Sequence, residues 1–392
     1  MMAALTAAGQ GARVILLERQ SRVGRKLAVT GNGRCNLTNL GAAPEHYHGG
    51  DPDFVRPALE RFGVDQTLDF FLSLGLVTVT EPDGRVYPYS DQAGSVVDVL
   101  RFALDAYGVD TRLGFEVRSV IKSARGFLLR SDGESFECDR LIVAGGGAAG
   151  TKCGGGTGGY DALRALGHGC TKLYPALVQL KTDNTYTRPL KGVRADADVT
   201  VSVGSRVIAH SSGEVQFTDY GVSGPAVFDI SRAAAQHPGS TVTLDLMRLT
   251  DTDGLCGMLR RRAESFPDLT LENLLTGMVH NKLGRTAIQR CGLSLGTPLG
   301  SLGEHGIRAV AGTLKAYTLP VHGTTGMDGA QVTCGGVPTS EFCAETMESR
   351  LVPGLFACGE VLDIDGDCGG YNLQWAWSSG AAAGTACAAG LC

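Results

Sequence analysis

GEVLDIDGDCGGYNLQWAWSSG, residues 359 to 380, is the stretch on which the reading of the chain turns. It follows Leu355-Phe356-Ala357-Cys358, a short apolar run after Pro353-Gly354 that reads as a strand, and it leads into a helix rich in Ala and Gly. A strand, a glycine-bearing loop and a helix N-terminus in succession bring unpaired backbone N–H groups together, which suits a polar ring or a phosphate. Both tryptophans of the chain, Trp375 and Trp377, fall here. Taken alone, the stretch reads more plainly as a core helix carrying two aromatics.

The N-terminal segment changes that balance. Residues 3 to 9, AALTAAG, have strong helix propensity, and Gly9 to Gly11 supply a stop. ARVILLE then reads as a strand ending in Glu18. A helix followed by a strand that ends in an acidic residue is the second half of a dinucleotide-binding βαβ unit, in which the carboxylate accepts hydrogen bonds from ribose hydroxyls. The first strand and its G-x-G-x-x-G loop do not precede it, so the expectation is a start site placed too far downstream. The next stretch, VGRKLAVTGNGRCNLTN at 23 to 39, offers Arg25 and Lys26 as positive charge and Gly31 and Gly33 for close backbone approach. Arg34, Asn36, Thr38 and Asn39 add donors suited to a diphosphate or an adenosine.

Residues 54 to 76 and 92 to 107 have helical apolar spacing, and VTVTEPDGRVYPYS between them alternates as strands around a Pro-Asp-Gly turn. Residues 113 to 143 read as a strand meander. Gly145, Gly147 and Gly150 then spell G-x-G-x-x-G after an apolar strand. No acid-ended strand follows at the required distance, and the next helix begins late, near Gly158. The segment is therefore read as a glycine-rich loop beside a cofactor and not as a separate NAD site.

From Thr182 to Gly329 the character shifts to β-rich alternation at 193 to 217 and 241 to 246, with Ser223-Gly224-Pro225 as a helix start and a helical piece at 251 to 300. Such an insert is expected to shape the substrate side. Of His210, His280, His305 and His322, only His322, beside Gly323-Thr324-Thr325-Gly326, is placed near the return to the first domain, and a structural hydrogen bond is the better reading even there. Tyr371, Asn372 and Gln374, just after Gly369-Gly370, are stronger candidates for ligand contact.

Composition bounds the partners. At 392 residues the chain is too long for one simple core. Its 56 glycines are about double the usual ~7%, and they cluster without a fixed period, which excludes a solenoid. A net charge of −5 offers no general footprint for nucleic acid, with Arg260-Arg261-Arg262 as a small local cluster. No long apolar run or basic leader is present, so a cytoplasmic protein is expected. The 12 cysteines contain no C-x-x-C and no zinc-like spacing, which points to reduced, mostly buried thiols and no metal.

Three stretches together, VGRKLAVTGNGRCNLTN, FTDYGVSGPAVF and AQVTCGGVPTSEFCAETMESRLVPGLFACGEVLDIDGDCGGYNLQWAWSSG, resemble the BaiN/YhiN-type flavoproteins, also labelled an aminoacetone-oxidase-like family of NAD(P)/FAD-dependent oxidoreductases. The resemblance covers essentially the whole chain. It implies an α/β fold: a Rossmann-like, three-layer FAD-binding domain with a mostly parallel sheet, at 1–182 and 330–392, split by a β-rich insert, barrel-like with a helical piece, at 183–329. It also implies FAD, with Glu18 on its ribose and the turn Gly31, Gly33, Arg34 and Asn36 on the adenosine and diphosphate. Ala144, Gly146 and Gly147 would lie near the cofactor, Gly359 and Glu360 at the ribityl and phosphate, and Gly369, Gly370, Tyr371 and Asn372 at the flavin. The implied activity is reduction of an activated C=C bond in a small molecule with NAD(P)H as electron source. Alternatives are a flavin-dependent amine oxidase, an enzyme reducing uracil in ribosomal RNA, which would make RNA a partner, and a non-catalytic flavin- or nucleotide-binding protein. No Ser/His/Asp array is found, and no catalytic residue is assigned.

Overall fold

The computed structural model describes residues 1–389, within which the chain forms two compact units. One comprises Met1–Tyr174 together with the chain from Gln331 onward, and the other is Pro175–Ala330. The sequence reading put the first boundary at 182. The chain joins the second unit earlier because Leu180–Thr182 is a strand hydrogen-bonded on both sides within that unit's sheet.

In the first unit, the small residues of Met2–Gly9 form a helix that the glycines beyond it end. The apolar run Ile15–Glu18 pairs in parallel with Asp110–Leu113, Glu18 lying opposite Leu113. Leu141–Val143 pairs in parallel with Leu355–Ala357. Antiparallel ribbons flank these pairs: Ser119–Ser123, Gly126–Arg130 and Ser135–Cys138 as a meander, and Tyr47–Gly49 against Ile364–Gly366. The amphipathic helix Ala93–Ala106 turns Val96, Leu100, Ala103 and Leu104 into the core, where they meet Leu37, Phe71 and Trp377.

The helix Tyr371–Ala388 is buried along most of its length. It passes close to the first helix at two glycines one turn apart: a Cβ on Gly384 would lie 2.5 Å from the Ala3 carbonyl oxygen, and one on Gly380 3.2 Å from Met2 Cβ. Absence of a side chain at these two points is what lets the backbones approach.

The second unit is a closed barrel in the order Leu180–Thr182, Gly221–Ser223, Arg206–Phe217, Arg194–Val203, Thr241–Asp245 and Tyr317–Thr324. Strand alternation fills it: Ala197, Val199 and Val201 are fully buried while their neighbours are not. Helix Pro225–Gln236 packs on the barrel, and Thr252–Ser265, Asn281–Arg290 and Glu304–Lys315 supply the helical piece around Leu255, Leu259, Leu283 and Val310.

Candidate flavin site

The turn at 30 to 35 is built by backbone conformations that few residues tolerate. Thr30 is extended, while Gly31, Asn32, Gly33 and Cys35 have φ of 55°, 57°, 87° and 62°. At Gly31 a Cβ would lie 2.9 Å from Asn36 N, so glycine is required sterically as well. This turn delivers Asn36 to a place where its Oδ1 is buried and has no hydrogen-bond partner among the described residues. Gly370, with φ 104°, lies against the same atom: a Cβ there would be 2.9 Å from Asn36 Oδ1 and 2.5 Å from Thr38 O.

A second junction joins three stretches far apart in sequence. Lys26 Nζ donates to Glu360 Oε2 at 2.8 Å, and Thr333 N donates to Glu360 Oε1 at 2.8 Å. Ala149 N donates to Thr333 Oγ1 at 2.9 Å. Gly147 makes room for this arrangement, because a Cβ on it would overlap both Glu360 Oε1 and Thr333 Oγ1. The structure thus brings together Lys26, Gly147 and Glu360, and adds Thr333, which sequence reasoning missed.

Space remains beside the glycines. Gly33, Gly146 and Gly359 all have left-handed φ, and nothing lies within 4 Å of a Cβ built on any of them. Gly359 is itself buried, so the room beside it is interior. Glu18 ends its strand partly buried, its Oε1 accepting from Gln20 N at 2.8 Å. A carboxylate at a strand end, an unsatisfied buried amide oxygen and open, glycine-lined backbone fit FAD, whose ribose hydroxyls and ring N–H are donors.

The structure adds to four expectations. The cations of the first turn are not free charges for a diphosphate. Lys26 pairs with Glu360, Arg25 bonds to Gln20 and the Lys152 carbonyl, and Arg34 pairs with Asp91 and Glu81 while lying 4.0 Å over the Tyr87 ring. The Asn372 side chain closes its own loop, accepting from Gly366 N and donating to Gly366 O, each at 2.8 Å. His322 is exposed on a barrel strand. Finally, a Ser/His/acid array does exist: His168 bonds through Nδ1 to Glu341 Oε2 at 2.6 Å and through Nε2 to Ser349 Oγ at 3.0 Å. Its imidazole is fully enclosed and stacked on Phe342, and Ser349 Oγ also accepts from Leu351 N and Val352 N. That serine pins a turn.

The tryptophans are structural. Trp375 and Trp377 are 1% and 5% exposed, and their ring N–H groups donate to Gly359 O and Leu37 O. Gln374 is likewise spent inside, donating to Thr67 and Ser378 and accepting from Thr38. Ala144 is exposed on the loop after Leu141–Val143.

Next to Gly369-Gly370 stands a cluster that sequence reasoning overlooked. Asp367 Oδ2 lies 3.0 Å from His46 Nδ1, and Asp367 Oδ1 lies 2.7 Å from His48 Nε2. Tyr371 stacks on His46 with ring centroids 4.3 Å apart. Burial pushes the Asp367 carboxyl up, but the hydrogen bonds from His48 and His46 outweigh it and hold the group below the ordinary aspartate range. The His-x-His spacing in PEHYHG was the available signal, His46 closing a 3-10 turn immediately before the strand that carries His48.

Burial pushes Cys35 up to about 12 and Cys358 up to about 11, so both stay protonated near neutrality. Among the described residues no group of three or more His, Cys, Asp or Glu could hold a metal ion, and no helix is long and apolar enough to cross a membrane. A hollow of about 470 Å³ lined by Val120, Ile121, Leu166 and Pro353 shares no residue with the glycine-lined site.

The family model for the HI0933-like protein Rossmann domain matches residues 1–386. The chain belongs to this family. It is an FAD-binding, Rossmann-like flavoprotein and an oxidoreductase, of the BaiN/YhiN type. A 3-dehydro-bile acid delta(4,6)-reductase of Clostridium scindens is 40% identical over 381 residues, covering 96% of this chain and 93% of the relative. A ribosomal RNA dihydrouridine synthase of Escherichia coli is 34% identical, covering 95% and 91%. A ribosomal RNA dihydrouridine synthase of Haemophilus influenzae is 29% identical, covering 94% and 91%.

Proposed function

We propose that this HI0933-like protein reduces an activated C=C bond in a small molecule, with FAD as the hydride carrier and NAD(P)H as the electron source. The observation that carries the reading is the end-to-end similarity, at 40% identity, to a reductase named for a 3-dehydro-bile acid. The site is compatible with it. Because Gly370 lies against Asn36 Oδ1, Asn36, expected at the adenosine and diphosphate, would instead join Gly359 and the Gly369-Gly370 loop at the cofactor's ring and ribityl portions, with Glu18 at its ribose. FAD, when bound, supplies hydride transfer, while the protein supplies orientation and electrostatics. The N-terminus of the Tyr371–Ala388 helix, with backbone N–H groups not consumed within the helix, favours negative charge placed before it.

The test is direct. The purified protein should carry a flavin absorption spectrum that bleaches anaerobically on addition of NADH or NADPH and returns on addition of a 3-dehydro-Δ4,6 bile acid. A protein that takes up no FAD on refolding would defeat the reading. The second reading, reduction of uracil in ribosomal RNA, draws on the two synthase-named relatives. A net charge of −5 weighs against it, and transfer of reducing equivalents to rRNA but not to the bile acid would establish it instead.

A further inference from the structure

Reduction of a C=C bond adds a hydride to one carbon and a proton to the other, so a proton donor is required beside the cofactor. Resting on the C=C reading above, we propose that His46, oriented by Asp367, delivers that proton through Nε2.

The geometry is set by the strand Tyr47–Gly49. It pairs antiparallel with Ile364–Gly366, placing Tyr47 opposite Gly366 and His48 opposite Asp365. His48 lies on this strand and His46 closes the 3-10 turn immediately before it, and both reach the residue that follows the partner strand, Asp367. Asp367 N also donates to His46 O at 3.0 Å, fixing the backbone on that side. An ionised carboxylate only accepts, so each imidazole presents its N–H to it. The remaining ring nitrogens are His46 Nε2 and His48 Nδ1, and neither bonds to a described protein group.

Two imidazoles on one carboxylate form more than a clamp, because each leaves a nitrogen facing outward. Their side chains are 35% and 34% exposed, sheltered yet open enough for water to restore a proton. The two histidines are not equivalent. The His46 ring lies at 19° to that of Tyr371, the first residue of the C-terminal helix and the neighbour of Gly370. This places His46, rather than His48, against the loop assigned to the flavin. Tyr47, the other hydroxyl-bearing neighbour, is buried and donates to Tyr371 O at 3.0 Å, so its proton is committed.

The step balances as follows. FAD, when bound and reduced by two electrons from NAD(P)H, would supply the hydride to one carbon of the double bond. The carbon next to the carbonyl takes the proton: the Nε2–H bond of protonated His46 breaks with its electrons left on nitrogen, and the new C–H bond forms from the electron pair released by the C=C bond. Neutral His46 then takes a proton from water.

The experiment uses the full chain loaded with FAD, reduced anaerobically with dithionite, and mixed in rapid-flow experiments with either a 3-dehydro-Δ4,6 bile acid or ferricyanide. Ferricyanide accepts electrons without protonation of a carbon. His46→Gln should bind FAD as wild type does, react with ferricyanide unchanged, and react with the bile acid about a hundredfold more slowly. Added imidazole should restore part of the rate in His46→Ala, and Asp367→Asn should fall between. Equal speed of His46→Gln and wild type with the bile acid, equal slowing with both acceptors, or loss of FAD by both His46 variants would overturn the donor role. Wild-type protein that reacts with ferricyanide but not with the bile acid would overturn the C=C reading itself, and the donor role with it.

Discussion

Asp367 receives a hydrogen bond from a histidine on each of its oxygens, and its pKa is lowered in consequence. The sign of the pH effect follows. A carboxyl whose folded pKa is below its unfolded value, 3.8 here, contributes stability that is whole above that value and is lost as pH falls through the folded one. Acidification from about pH 5 to about pH 3 should therefore lower the urea midpoint of wild type more than that of Asp367→Asn. The Glu18 carboxylate makes the opposite kind of claim, on ligand rather than stability. Glu18→Ala should raise the Kd for FAD about tenfold, equivalent to about 1.4 kcal/mol, by fluorescence titration, and an unchanged Kd would remove the ribose role. Glu18 was legible in sequence because an acid at a strand end is a local pattern. Lys26–Glu360 was not, because no local rule pairs residues 334 positions apart, and the same distance hid the commitment of Arg34 to Glu81 and Asp91.

At the scale of elements, the C-terminal helix and the loop before it divide their work. The helix body is core: Trp377 packs 5.2 Å from the Phe71 ring and donates to Leu37 O at 2.9 Å. Trp377→Phe should cost about 1–3 kcal/mol in chemical unfolding, since it leaves a buried carbonyl without its donor, while the flavin spectrum of the folded fraction is retained. The second glycine loop depends on a single missing side chain. Gly147→Ala pushes a methyl into Glu360 and Thr333 and should destabilise by about 1–3 kcal/mol, with weaker FAD retention on gel filtration as the parallel measure. Helices and strands of this unit follow apolar spacing closely, as in Ala93–Ala106, so the elements could be read from the chain. Which glycines face open space could not be read. Gly33, Gly359 and Gly147 look alike in sequence, and only packing separates a glycine beside a cavity from one beside a carboxylate.

For the whole molecule, the notable property is that one unit is discontinuous and the other is not. The barrel's buried core runs from Leu180 to Val321 without interruption, whereas the core around Trp377 also needs Met2, Leu37 and Leu100. Contacts that span the chain close slowly because they carry a larger loop entropy. On refolding by dilution, protection of barrel amides should precede protection of amides in Met2–Gly9 and Tyr371–Ala388, as read by pulsed hydrogen exchange. Simultaneous protection of both sets would contradict this order.

The close approach of Gly380 and Gly384 to the first helix has a consequence for biogenesis. On the ribosome, the residues proposed to grip the adenosine end emerge before the barrel, but the helix that completes their core is translated after it. The nascent chain must therefore wait, unliganded, through the synthesis of the entire barrel. Stable flavin binding is therefore expected only after the barrel has been synthesised, and cells short of the cofactor are expected to accumulate chains whose barrel is finished and whose other unit is not.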